Sequence, residues 1–78
     1  MRDVILFGLD DKIRCELGSD TGLIGAVMEI GRYIPDLIYK AVMKGDKMIE
    51  FLKEYKVKDE ILTKINPENE YELTAYDW

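Results

Sequence analysis

Residues 22–44 read GLIGAVMEIGRYIPDLIYKAVMK, and the fold turns on whether this apolar run is helix or strand. Projected at about 100° per residue, Leu23, Ile24, Ala26, Val27, Met28, Ile30, Tyr33 and Ile34 cover an arc of about 220°. That spacing predicts a first helix over 22–34, stopping near Pro35 because the residue before a proline leaves the helical region. Gly25, Glu29 and Arg32 are its polar strip. A second helix is predicted over 35–44, with Pro35 in its first turn and Gly45 as its C-terminal stop. Its apolar arc (Leu37, Ile38, Tyr39, Ala41, Val42, Met43) is just as wide, and the spacing leaves open whether the two helices are continuous. Glu29, Arg32, Asp36 and Lys40 make the run too charged to span a membrane.

On the N-terminal side, residues 4–9 (VILFGL) are apolar throughout and Asp10-Asp11 supplies a turn. From 12 to 17 the chain alternates strictly, with Ile13, Cys15 and Leu17 on one side and Lys12, Arg14 and Glu16 on the other. This is the pattern of a β-hairpin with a half-exposed second strand. Ser19, Asp20 or Thr21 then offers a helix N-cap. On the C-terminal side Asp46 is read as the cap of a third helix reaching about residue 55, with Met48, Ile49, Phe51, Leu52 and Tyr55 as its apolar stripe. A short fourth helix is expected within 58–65, with Ile61, Leu62 and Ile65 inward. Asn66-Pro67-Glu68-Asn69 is a loop. The last run, 71–76, alternates as a strand, with Tyr71, Leu73 and Ala75 on one face and Glu72, Thr74 and Tyr76 on the other. The order ββααα(α)β describes a single α+β domain over 1–78. Its N-terminal hairpin and C-terminal strand would share a small antiparallel sheet, packed against three to four helices.

Composition narrows the chemistry. Among 78 residues there is no His, no Gln, one Cys (Cys15) and one Ser (Ser19). Imidazole relays, His-bearing metal sites, zinc ribbons and disulfide frameworks are therefore excluded by count. Asp20-Thr21-Gly22 matches three residues of the aspartic protease signature. Gly18-Ser19 precede it and a helical pattern follows, so it reads as a loop and N-cap. No glycine pattern for a dinucleotide or nucleotide phosphate is present. Asp10-Asp11 and Asp59-Glu60 read as a turn and a helix N-terminus rather than a metal site, and Cys15 as a small inward hydrophobe. No cofactor or metal is signposted, and the chain reads as a non-enzyme. One unpaired Cys and a start without a signal-peptide pattern point to the cytoplasm.

Two features point to function. The net charge is −5, and Glu68, Glu70, Glu72 and Asp77 supply four of those charges within 65–78, where there is no Lys or Arg. Tyr76 and Trp78 stand among them. Carboxylates with aromatics suit a Lys/Arg-rich partner surface, so Glu68, Glu70, Glu72, Tyr76, Asp77 and Trp78 are the candidate partner-binding residues. By analogy of size, charge and missing catalytic groups, this describes a small acidic inhibitor that occupies a nucleic-acid-binding groove of its partner. Phage and mobile-element proteins of the anti-CRISPR kind work in this way. Direct nucleic-acid binding is disfavoured, because the basic residues are dispersed. The second feature is apolar surplus on the first two helices. It makes Met28, Tyr39 and Met43 candidates for self-association, and a homodimeric structural or assembly subunit the alternative function.

Overall fold

The computed structural model describes residues 2–78. The chain begins as expected, with β1 (Arg2–Gly8) and β2 (Arg14–Gly18) as an antiparallel hairpin. Helix α1 (Thr21–Ile30) follows, with Asp20 as its N-cap; the Asp20 carboxylate accepts from the Leu23 N–H at 3.0 Å. Capping of this kind satisfies a helix-end donor that has no partner within the helix.

The run 31–44 is not helical. It forms a second hairpin, β3 (Arg32–Ile34) and β4 (Ile38–Lys44). This corrects both the expected helix over 22–34, which ends at Ile30, and the expected helix over 35–44, which is a strand. Two local features turn the chain. The Gly31 N–H bonds to the Val27 carbonyl at 2.7 Å, and a Cβ at Gly31 would come within 2.9 Å of the Lys40 carbonyl oxygen, so the backbones close in where the helix stops. Beyond Pro35, Asp36 and Leu37 both take positive φ (75° and 60°) and reverse the direction. The wide apolar arc of 35–44 resolves as period two. Tyr39, Ala41 and Met43 face the core, while Ile38, Lys40, Val42 and Lys44 face the other way. A strand with apolar residues on both faces mimics a broad helical stripe.

Helix α2 (Gly45–Lys53) starts directly from β4. Lys44, not Asp46, occupies the capping position; Asp46 lies in the first turn, where its charge suits the helix N-terminus. Gly45 does not stop a helix but opens one. It is buried, its N–H bonds to the Asn69 carbonyl at 2.7 Å, and a side chain there would run into the Asn66 carbonyl. Helix α3 (Asp59–Leu62) is one short turn, and β5 (Glu70–Asp77) ends the fold. No helix among the described residues is long and apolar enough to cross a membrane.

All five strands join one antiparallel sheet in the order β2-β1-β5-β4-β3, with β5 in the middle. The α+β class and the union of the N-terminal hairpin with the C-terminal strand are therefore present. The element order differs, with two extra strands and three helices. One core cluster lies between the sheet and the helices. Val4, Leu6, Leu73, Ala75 and Tyr71 come from β1 and β5, and Leu23, Val27, Met48 and Leu52 from the helices. Full burial of such leucines stabilises by about 1.5–3 kcal/mol each.

Candidate functional site

Every helical residue of the core lies on one side of the sheet, against Val4, Leu6, Leu73 and Ala75. Alternation sends the intervening residues to the opposite side, which no helix covers. Register arranges them in rows across the strands. One row is Ile34, Ile38, Tyr76 and Asp3; the next is Arg32, Lys40, Thr74, Ile5 and Glu16; a third is Val42, Glu72, Phe7 and Arg14. Both signs of charge occur on this face, with Arg14 on β2 and Glu72 on β5. Arg32, Lys40 and Lys44 lie on β3 and β4, whereas Asp3 and Glu16 lie on β1 and β2.

Side chains of this face partly close it. Ile5 is only 8% exposed and Thr74 1%, although no helix reaches them. Lys40 Nζ lies 3.6 Å from Glu72 Oε1, and the Thr74 hydroxyl donates to the same oxygen at 3.1 Å, so a charged arch spans Thr74. Val42 remains 55% exposed beside it. At the end of the sheet the Tyr76 and Trp78 rings meet at 5.0 Å, tilted by 53°. The Trp78 indole N–H donates to the Asp36 carbonyl at 2.6 Å, and the Asp77 N–H to the Leu37 carbonyl at 3.0 Å. The chain end is thus fixed on the β3–β4 turn while Trp78 keeps 58% of its surface exposed.

Between these rings and β2 lies a cavity of about 270 Å³, lined by Asp3, Ile5, Arg14, Glu16, Tyr76 and Trp78. Asp3 is 8% exposed, and its carboxyl stands beside that of Glu16 in the cavity lining. The closeness of Asp3 and its charge, then burial, hold the Glu16 carboxyl above its ordinary value, while Arg14 pulls the other way. Arg14 itself leans over the Phe7 ring, 5.9 Å from its centroid.

The chain matches no family model, no curated protein and no solved structure.

A second group of carboxylates closes the opposite end of β1. The Asp11 carboxylate accepts from the Tyr71 hydroxyl at 2.8 Å, the Asn69 amide at 3.2 Å and the Ile13 N–H at 3.2 Å. Its carboxyl is held below the ordinary value, chiefly by Tyr71. Burial pushes the Tyr71 hydroxyl up, and its oxygen also accepts from the Asn66 N–H at 2.8 Å. Asp10 accepts from the Glu70 N–H at 2.8 Å. The Asp10-Asp11 turn is therefore a clasp on the loop before β5. Among the described residues no group of three or more His, Cys, Asp or Glu could hold a metal.

The six candidate partner-binding residues do not form one patch. Tyr76 and Trp78 line the cavity, and Glu72 lies on the same face in the arch with Lys40. Glu70 faces Lys44 at the end of the sheet, and Glu68 is exposed in the loop. Asp77 points to the helix side and pairs with Arg2 at 2.7 Å. Met28, Tyr39 and Met43 are half-buried against the core cluster, and Tyr39 meets Tyr33 at 5.2 Å. The large exposed apolar side chains are instead Leu9, Ile30, Tyr33, Leu37, Val42 and Trp78. Asp3, Ile5, Arg14 and Glu16 were not among the candidates. The alternation of 12–17 already turns Arg14 and Glu16 outward, but only the β1–β5 pairing brings them toward Tyr76.

Proposed function

We propose that the protein is a non-enzymatic binding module that docks on a basic surface of a partner protein through the helix-free face of its sheet. The observation that carries this reading is the Tyr76–Trp78 ring pair standing beside the Asp3 and Glu16 carboxylates. Aromatic rings supply contact area at low conformational cost, and carboxylates supply complementary charge. Lys40 and Arg2 occupy Glu72 and Asp77, so the charge offered to a partner comes from Asp3 and Glu16 in the cavity and from Glu68 and Glu70 at the loop end.

In its finer form, the module inhibits its partner by filling a nucleic-acid-binding groove, as small phage and mobile-element inhibitors of the anti-CRISPR kind do. The size, the net charge of −5 and the absence of His support that form. The single Cys15 suits a reducing, cytoplasmic setting. The test is capture from host lysate on immobilised wild-type protein, on Tyr76→Ala/Trp78→Ala and on the triple exchange of Glu68, Glu70 and Glu72 for Gln. The expected result is a basic partner released by salt and lost from the ring variant, with weaker retention by the triple variant. Equal recovery on all three at low salt overturns the reading.

A second reading, a homodimeric assembly subunit, is favoured by the exposure of Leu37 and Trp78, which meet at the β3–β4 turn, and of Val42 further along β4 on the same helix-free face. Sedimentation over a concentration series tests it, and a persistent monomer removes it.

A further inference from the structure

We propose that the cavity bounded by Asp3, Glu16, Tyr76 and Trp78 receives one cationic side chain of the partner, an arginine in preference to a lysine. This rests on the docking reading above and names what the face takes hold of.

The size comes first. At about 270 Å³ the cavity lies just below the usual range for small-molecule pockets, so it suits a single side chain rather than a whole ligand. The walls come next. The tilted Tyr76 and Trp78 rings offer π-faces, which attract cations, and a planar guanidinium stacks on them better than a compact ammonium. Ile5, almost fully buried, gives an apolar floor for the methylene stem of the entering residue.

The charge points the same way. Two carboxylates face one guanidinium among the lining residues, a net −1, and Arg14 rests on Phe7. Asp3 and Glu16 line the same cavity, and like charges held so close repel when both are ionised. Of the Asp3 oxygens, Oδ1 accepts from the Val4 N–H at 2.9 Å. An entering guanidinium presents several N–H donors in a fixed fork, which can bridge two neighbouring carboxylates, whereas a lysine ammonium does so only as a point charge. The cation therefore relieves the contact that the free protein carries.

The test is an NMR titration of the full chain with three capped tripeptides, Gly-Arg-Gly, Gly-Lys-Gly and Gly-citrulline-Gly. The expected result is saturable shifts at the Trp78 indole, Tyr76 and Glu16 with a dissociation constant of the order of millimolar, as befits one side chain. Lysine should bind several-fold more weakly, and citrulline, which keeps the shape and lacks the charge, should not saturate. Glu16→Gln and Asp3→Asn should each weaken the arginine peptide by roughly 5–10-fold, a typical size for loss of one charge-assisted bond. Because Glu16 is exposed, its exchange should leave the dispersion of the spectrum intact. Citrulline binding equal to arginine, or wild-type affinity in Glu16→Gln, overturns the proposal.

The two readings fail separately. A silent titration with partner capture still dependent on Tyr76 and Trp78 removes the pocket and leaves the docking face. Saturable arginine binding with capture indifferent to those rings leaves a cation pocket but removes its role in docking, which also overturns the proposal as stated. If the same resonances shift with protein concentration alone, and Arg32→Ala abolishes that shift, the cation comes from a second copy of this chain and the partner assignment is wrong.

Discussion

The two ends of β1 hold carboxylates in opposite circumstances. At Asp11 three donors converge on one carboxylate, and its proton is lost more easily than usual. At the other end of the same hairpin, Asp3 and Glu16 stand beside each other, and the Glu16 proton is held more tightly than usual. Both groups are acidic residues on the same hairpin, and composition cannot tell them apart. The difference is in the donors. The Asp11 group ties residues 9–13 to Asn66, Asn69 and Tyr71, and every part of it serves closure of the fold. The Asp3–Glu16 pair closes nothing that an uncharged pair could not close, and it stands in a cavity with two aromatic walls. Carboxylates satisfied within the chain stabilise it; carboxylates left against each other on a helix-free face are what the proposed cation from outside would match.

The contrast can be broken from the clasp side with the largest effect. Tyr71→Phe removes a buried hydroxyl that donates to Asp11 and accepts from Asn66, and should cost about 1–3 kcal/mol in urea denaturation. A loss near zero would mean that the clasp is decoration.

Next in size is a test of the β3–β4 turn, on which Trp78 is held. Leu37 sits at φ 60°, a conformation unfavourable for a branched side chain. Leu37→Gly should therefore leave stability unchanged or raise it by up to about 1 kcal/mol. In a helix over 35–44 the same exchange would lower stability by about 1 kcal/mol.

Smaller effects appear in the dependence on pH. Asp11 has a lowered folded value, so its contribution is complete above the ordinary carboxylate value and disappears as pH falls through the folded value. Asp11→Asn should flatten the acid branch of the stability curve. Glu16 has a raised folded value, so its ionisation opposes folding, and stability declines as pH rises from the ordinary value through the raised one. Glu16→Gln should remove that decline and give equal or slightly higher stability at neutral pH. Opposite curvature in the two variants sharpens the contrast; parallel curves would erase it.

What was legible in the sequence is what local periodicity and capping encode. The 12–17 alternation, the Asp20 cap, the stripe Met48, Ile49, Phe51 and Leu52, and the two faces of the last strand all appear in the structure. The second hairpin was hidden for a physical reason. Strand β4 is apolar on both faces, and the turn at Pro35, Asp36 and Leu37 has neither Gly nor Asn where φ is positive. The β-branched and aromatic content of 38–44 was the signal available against a helix. Of the site, Tyr76 and Trp78 could be read from an aromatic pair among carboxylates. Asp3 and Glu16 could not, because their approach to Tyr76 depends on β1 and β5 pairing across some seventy residues of chain.

The most direct measurement compares thermal unfolding of wild type and Glu16→Gln, each with and without the capped Gly-Arg-Gly peptide at saturating concentration. A ligand that binds only the folded chain raises the midpoint by mass action. The prediction is a raised midpoint for wild type with peptide, and for Glu16→Gln a midpoint at or above that of wild type alone, with a much smaller response to peptide. A Glu16→Gln chain that unfolds earlier than wild type yet responds to the peptide as fully would contradict it, because Glu16 would then serve the fold and not the binding of a cation.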